Sequence, residues 1–251
     1  MNRMRFLFEI AYNGTRYNGW QSQHNAVGVQ HIVEVALSKL LRTKIEIVGS
    51  GRTDTGVHCE QQFFHSDIEK AFDAQNLALR MNSLLPKDIS IQSIRKVKPE
   101  ASARYNALER TYQYRITRKK DPFMEGFAWY YFKPADSKTM NKAASLLLGE
   151  HDFESFSKVK TDVNHFICEI RKATWEQKGE KLEFTITSNR FLRGMVRAIV
   201  GTLLDVGSGK ITVNEFQSII KSKDRKKAGA NVPPHGLYLT KVKYPKSIFI
   251  N

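Results

Sequence analysis

Residues 49–59 read GSGRTDTGVHC, from Gly49 to Cys59. Gly49, Gly51 and Gly56 surround one carboxylate, Asp54, one guanidinium, Arg52, and one imidazole, His58. The short apolar run IEIVG leads into this stretch and QQFFHS leaves it, so the pattern predicts a loop between two strands. A glycine-flanked Asp or Thr is an ordinary connector. A phosphate-binding loop would end in Gly-Lys-Ser/Thr and open a helix, and neither occurs here. A calcium loop needs several acidic ligands, and this stretch has one. A zinc site built on His58 and Cys59 lacks a second close pair. What remains is a presented carboxylate. Glycine lets the chain turn sharply and lets a bulky substrate approach the backbone. Arg52, two residues from Asp54, could hold a phosphate beside it, and an ionised carboxylate is a competent nucleophile.

Outward from the loop, the first hundred residues read β-α-β-β-α-β. Met4, Phe6, Phe8 and Ile10 alternate with Arg5, Leu7 and Glu9, as in a strand. NGTRYNGW follows with two Asn-Gly turns. Val29, Ile32, Val33, Ala36 and Leu40 recur at helical spacing, DAQNLALRMNSLL is a helix capped by Asp73, and DISIQSIRKV is a strand. The remainder has a similar grammar. RTYQYRITR and FAWYYF read as strands, DSKTMNKAASLLLG as a helix with an Asp cap and a Gly stop, and IRKATWEQ and KLEFTITS as a hairpin. RFLRGMVRAIVGTLLDVG reads as one helix, TVNEFQSIIKSK opens with a capping box from Thr212 to Glu215, and GLYLTKVKY closes as a strand. The expected fold is α+β, with an N-terminal half over residues 1–105 and a C-terminal half over 106–251, both mainly antiparallel.

Charge narrows the partner. The chain has 251 residues, with 40 Lys and Arg against 25 Asp and Glu, a net charge of +15. Such an excess either solubilises a surface or attracts a polyanion, with nucleic acid foremost. Cations cluster at Arg115, Arg118, Lys119 and Lys120, at Lys158 and Lys160, and from Lys221 through Lys223 to Arg225, Lys226 and Lys227. No apolar run approaches the ~20 residues that span a bilayer. The N-terminal apolar stretch is broken by Glu9 and lacks a small-residue cleavage site, so no signal peptide is expected. Two cysteines, Cys59 and Cys168, are too few for a disulfide framework. The expectation is a reduced, cytoplasmic protein without a membrane partner.

The motifs together resemble one family. GSGRTDTGVHC is similar to the GRTDAGVHA-type signature of the TruA family of tRNA pseudouridine synthases. AYNGTRYNGWQSQ resembles that family's N-terminal segment, and VQHIVEVAL its following helix. ARYNALERTYQYRI, HDFESFS, FLRGMVRAIVGTLLDVGSG and PPHGLYLTKVKY resemble its later blocks in the same order, over nearly the whole chain. Thr55 and Cys59 stand where the signature usually has alanine, and ANVPPHG is looser than the usual run before the last strand.

The resemblance implies two halves lining a central basic cleft and the isomerisation of uridine to pseudouridine in the anticodon stem-loop of tRNA. It implies a homodimer as well, with no metal and no organic cofactor. It assigns Asp54 as the catalytic nucleophile and Arg197 as the arginine that pairs with it. Tyr112 becomes the active-site tyrosine, Arg52 a phosphate or flipped-base contact, and Leu237 an apolar wall of the pocket. Read alone, Tyr112 fits core packing beside Tyr114, and Leu237 fits an ordinary strand core. Arg190, Arg193 and Arg197 by spacing share one helical face. His58 and His65 read as structural. Two rival classes stay open at this point: a basic RNA-binding module without catalysis, and a nucleoside glycosidase, although glycoside hydrolysis normally uses two carboxylates.

Overall fold

The computed structural model describes residues 3–22, 26–159 and 163–250. Lys160 of the second cationic cluster, and Gln23 at the end of the N-terminal motif, lie outside the described residues. The architecture is mixed α+β, as expected, with ten strands and five α-helices among the described residues. None of these helices is long and apolar enough to cross a membrane. The chain divides into two compact units, Met1–Leu108 with Leu239–Asn251, and Glu109–Tyr238.

The first unit is built from β1 (Met4–Tyr12), α1 (Val29–Leu41), β2 (Val48–Gly49), β3 (His58–Ile68), α2 (Ala74–Leu84) and β4 (Ile89–Val97), joined from Leu239 onward by β10 (Leu237–Lys243) in the order β4-β1-β3-β10. β1 pairs antiparallel with both β3 and β4. Phe6, Phe8, Ile10 and Tyr12 are buried, as the alternation requires, and Leu7 is buried on the opposite side of the strand. Phe8 stacks on its cross-strand partner Phe64 with ring centroids 4.7 Å apart. Asp73 caps α2 by accepting from Asn76 N–H.

The predicted strand IEIVG shrinks to Val48–Gly49. Side chains of α1 take the backbone groups that a strand partner would have used. Ser38 Oγ accepts from Ile45 N–H, Glu34 Oε1 accepts from Ile47 N–H, and Gln30 Nε2 donates to the Ile47 carbonyl.

The second unit holds β5 (Glu109–Thr117), β6 (Trp129–Tyr130), α3 (Ser137–Ala144), β7 (Gly149–Asp152), β8 (Ile167–Lys178), β9 (Lys181–Ser188), α4 (Met195–Gly207) and α5 (Val213–Ser222), with sheet order β5-β9-β8-β7. β5–β9, β8–β9 and β7–β8 are antiparallel, whereas the two-residue β6 lies parallel to β5. The hairpin turns at Gly179, φ +58, as KGEK predicts. Both halves of the Thr212–Glu215 capping box form.

The helix expected from Arg190 onward starts at Met195 instead. Arg190 N–H is taken by Ser188 Oγ, the Arg193 carbonyl accepts from Lys158 N–H, and Gly194 turns left-handed at φ +73. Arg190 and Arg193 therefore precede α4 and do not share a helical face with Arg197.

One buried imidazole makes stability pH-dependent. His65 is 8% exposed, and its Nδ1 accepts from Ala103 N–H at 3.0 Å. Burial, aided by the charge of Arg5, lowers its pKa from 6.5. A depressed folded-state value means that the unfolded chain takes up the proton first. The stability is thus complete above about pH 6.5 and is lost as pH falls through the folded value. Thermal melting between roughly pH 7.5 and 5.5, the range of histidine titration, should show a falling Tm, with a shallower fall in His65→Gln. Parallel curves for the two proteins would refute this.

Candidate active site

In the first unit, the segment after β1 grips the Asp54 loop along its backbone. Asn13 caps a short 3-10 turn at Gly14–Arg16, its side chain accepting from Thr15 N–H. Gly14 N–H then donates to Nδ1 of His58, which is 2% exposed. The Tyr17 carbonyl accepts from Gly56 N–H at 3.2 Å, and the Thr53 carbonyl accepts from Trp20 N–H at 3.4 Å. Gly19 sits at φ +79, and a Cβ there would lie 2.1 Å from the Thr53 carbonyl oxygen. No other residue type meets both conditions. Tyr17 is itself anchored, its hydroxyl donating to Asp88 Oδ1 at 2.5 Å. Burial and that carboxylate hold its phenol up at about 12.

These contacts account for two of the loop's three glycines, Gly49 and Gly56. Gly49 has no room for a side chain, because a Cβ would fall 2.3 Å from Trp20 Nε1. Gly56 adopts φ +76 in the turn where the Asp54 carbonyl accepts from Val57 N–H. Asp54 is thereby held half-buried at the head of a turn, while Arg52 is exposed. Beneath them lies a set of buried polar groups. Tyr12 Oη is 2.8 Å from Thr53 Oγ1 and donates to Gln62 Oε1 at 3.0 Å, and Gln62 Nε2 donates to the Gly51 carbonyl at 3.1 Å. Cys59 is fully buried, and desolvation pushes its thiol well up, so it is no thiolate nucleophile.

In the second unit, Tyr112 on β5 is half-buried and meets Phe191 edge-to-face, with centroids 5.1 Å apart. Leu237, the first residue of β10, is buried. Arg197 lies in the first turn of α4, a helix buried on most of its surface. Its residues that are not fully buried, Arg197, Gly201 and Asp205, recur every four positions and form one stripe. The segment around Gly229–Val232 runs along that stripe. Val232 N–H donates to the Arg197 carbonyl, and Gly229 N–H donates to Thr202 Oγ1. A Cβ on Gly201 would sit 2.0 Å from the Ala230 carbonyl oxygen. Arg197 Nε donates to the Val232 carbonyl at 2.7 Å, which fixes the plane of its guanidinium. Next to it, Tyr114 donates to the Pro233 carbonyl at 2.9 Å. Burial raises the Tyr114 phenol, and the charge of Arg197 opposes that rise.

The candidate residues thus fall into two sets. Asp54 and Arg52 share one loop of the first unit. Tyr112, Arg197 and Leu237 belong to the second. The sequence reading missed the supports. Gly201, an isolated glycine inside a helical pattern, was the available signal for a close backbone approach. Gln62, polar within a strand and wholly buried, has no signature in sequence. No group of three or more His, Cys, Asp or Glu residues suited to a metal ion occurs among the described residues.

Comparison with known proteins gives this arrangement a family. A family model described as tRNA pseudouridine synthase matches residues 10–106 and 143–245. The tRNA pseudouridine synthase A of Porphyromonas gingivalis is 48% identical over 98% of this chain and 99% of its own length. That of Parabacteroides distasonis is 47% identical, covering 98% of each chain. That of Thermoanaerobacter sp. is 40% identical over 95% of this chain and 98% of its own. The motif stretches lie within these two matched ranges except ARYNALERTYQYRI, most of which falls between them, and the chain belongs to the tRNA pseudouridine synthase family of isomerases.

Proposed function

We propose that this protein isomerises uridine to pseudouridine in the anticodon stem-loop of tRNA, with Asp54 as its nucleophile. The observation that supports the reading is the full-length family match combined with a lone carboxylate held at the head of a backbone-clamped turn. The reaction breaks the bond from C1′ to N1 and forms one from C1′ to C5. Nothing is oxidised and no group arrives from elsewhere, so side chains suffice. The base must leave its stack, which costs a few kcal/mol. Asp54 then supplies the reacting carboxylate. Arg197, with its guanidinium plane set by Val232, is the cation assigned to balance and aim it. Tyr112 offers a ring for stacking and a hydroxyl near the reacting centre. Leu237 supplies an apolar wall, and the exposed Arg52 takes a phosphate or the flipped base. On the same family resemblance, two copies act together as a homodimer in the cytoplasm.

Products discriminate the readings. Pure protein incubated with unmodified tRNA should yield an isobaric C-glycoside. Free uracil would indicate a glycosidase, and unchanged tRNA a binding module. Asp54→Asn should abolish turnover while tRNA affinity stays near wild type, because the amide keeps the shape and loses the nucleophile. A wild-type single-turnover rate in that variant would remove Asp54 from its role.

Arg197 gives a sharper comparison. Arg197→Met should nearly abolish turnover. Arg197→Lys should be intermediate, since an ammonium cannot donate through Nε to Val232 and also present a planar fork. Arg193→Met, at an exposed position before α4, should mainly weaken tRNA binding. An active Arg197→Met beside a dead Arg193→Met would invert the assignment.

Affinity for tRNA should fall steeply with salt, because each neutralised phosphate releases counterions and steepens the log–log slope. Filter binding between roughly 50 and 200 mM salt measures it. A flat response would mean that the +15 charge serves something other than RNA.

A further inference from the structure

We propose that Tyr12 and Gln62 are positioning residues for Asp54, acting through a closed ring of hydrogen bonds that sets the backbone just before it. The inference rests on Asp54 being the nucleophile. Tyr12 has one hydroxyl proton, and it goes to Gln62 Oε1 at 3.0 Å. The 2.8 Å contact with Thr53 is therefore donated by the Thr53 hydroxyl to the Tyr12 oxygen. Gln62 completes the circuit by donating from Nε2 to the Gly51 carbonyl at 3.1 Å. The ring thus enters the loop at Gly51 and leaves it at Thr53, bracketing Arg52 and ending one residue short of Asp54.

Three features separate this ring from incidental surface bonding. It is buried: Gln62 is 0%, Tyr12 4% and Thr53 9% exposed. Buried bonds polarise one another, and breaking one strands its partners without water. Its donors and acceptors run in one direction, so each side chain dictates the orientation of the next. The strand pairing is also interrupted there. Ile10 faces Gln62, yet Tyr12 faces Cys59, one residue beyond where unbroken antiparallel pairing would place it. A bulge of this kind re-aims a side chain, and such bulges concentrate beside active sites. Here it brings the Tyr12 hydroxyl to both Gln62 and Thr53. A polar Gln in mid-strand, beside the apolar Phe63 and Phe64, gains nothing for the core. Its contribution is the geometry of the loop.

Tyr12→Phe removes the shared hydroxyl and keeps the ring, whose centroid lies 6.2 Å from that of Trp20. At a temperature well below its melting point, the single-turnover rate on tRNA should fall roughly ten- to a hundredfold, the scale set by a small misplacement of a reacting group. The tRNA dissociation constant should stay within about twofold, because the three side chains are buried away from the surface. Thr53→Val should reproduce the loss, and Thr53→Ser should recover most of it. The double variant Tyr12→Phe/Thr53→Val should be no slower than either single one, since both break the same circuit. Wild-type rates in Tyr12→Phe and Thr53→Val would overturn the proposal, as would losses that multiply in the double variant. If Tyr12→Phe fails to fold, the Val and Ser pair at position 53 carries the test. Asp54→Asn runs in parallel. An active Asp54→Asn overturns the nucleophile assignment itself, whereas a dead Asp54→Asn beside an unimpaired Tyr12→Phe removes only the positioning role.

Discussion

Backbone pressed against backbone is the constraint on which the Asp54 loop depends. A Cβ on Gly14 would lie 2.0 Å from the Val57 carbonyl oxygen, and one on Gly19 would lie 2.1 Å from that of Thr53. These approaches are closer than any side chain permits. They let main-chain hydrogen bonds hold the loop at Thr53 and Gly56, on either side of Asp54. Side-chain contacts could hold the same loop, but each carries rotamer freedom that must be lost. Main-chain contacts carry none, so the turn is set by the packing that forms the unit itself.

The second unit uses the same device at α4. Gly201 brings the segment near Ala230 onto the helix, Val232 meets the backbone and side chain of Arg197 together, and Tyr114 holds Pro233. A glycine in a helix interior costs about 1 kcal/mol relative to alanine. That cost is offset by hydrogen bonds which place one guanidinium. In both units the candidate residue, Asp54 or Arg197, sits on an element against which a neighbouring strip of main chain lies flush.

How far this was legible in sequence follows from the physics of each signal. Periodic burial is local, so β1, α1, α2, the β8–β9 hairpin and the Thr212 capping box could be read from residue spacing. Residues 45–47 misled because side chains of α1, 7 to 17 positions upstream, satisfy their backbone, and apolar alternation looks the same either way. The start of α4 misled because Arg190 and Arg193 keep helical spacing in sequence, while Gly194, Ser188 and Lys158 claim the backbone. β7 carries mostly polar residues, Gly149–Asp152, and has no alternation to read. For the candidate site, Asp54, Tyr112 and Arg197 stand in motifs that the sequence displays. The pairings that support them are not displayed there. Gln62 depends on a bulge and Arg197 on a carbonyl thirty-five positions away, and neither pairing leaves a periodic trace.

The return of Leu239–Asn251 to the first unit bears on how the chain is made. Translation delivers β1 through β4 first, yet the strand that borders β3 and the segment whose Ile250 N–H donates to the Lys96 carbonyl leave the ribosome only after the second unit. The second unit, continuous from Glu109 to Tyr238, has its whole sequence available earlier. The unit that holds the Asp54 loop is therefore begun before the second unit and completed after it. Until β10 is made, the edge of β3 opposite β1 carries only the two-residue β2. A ribosome that stalls before β10 is made leaves the first unit incomplete, while the unit made in between has nearly all its sequence.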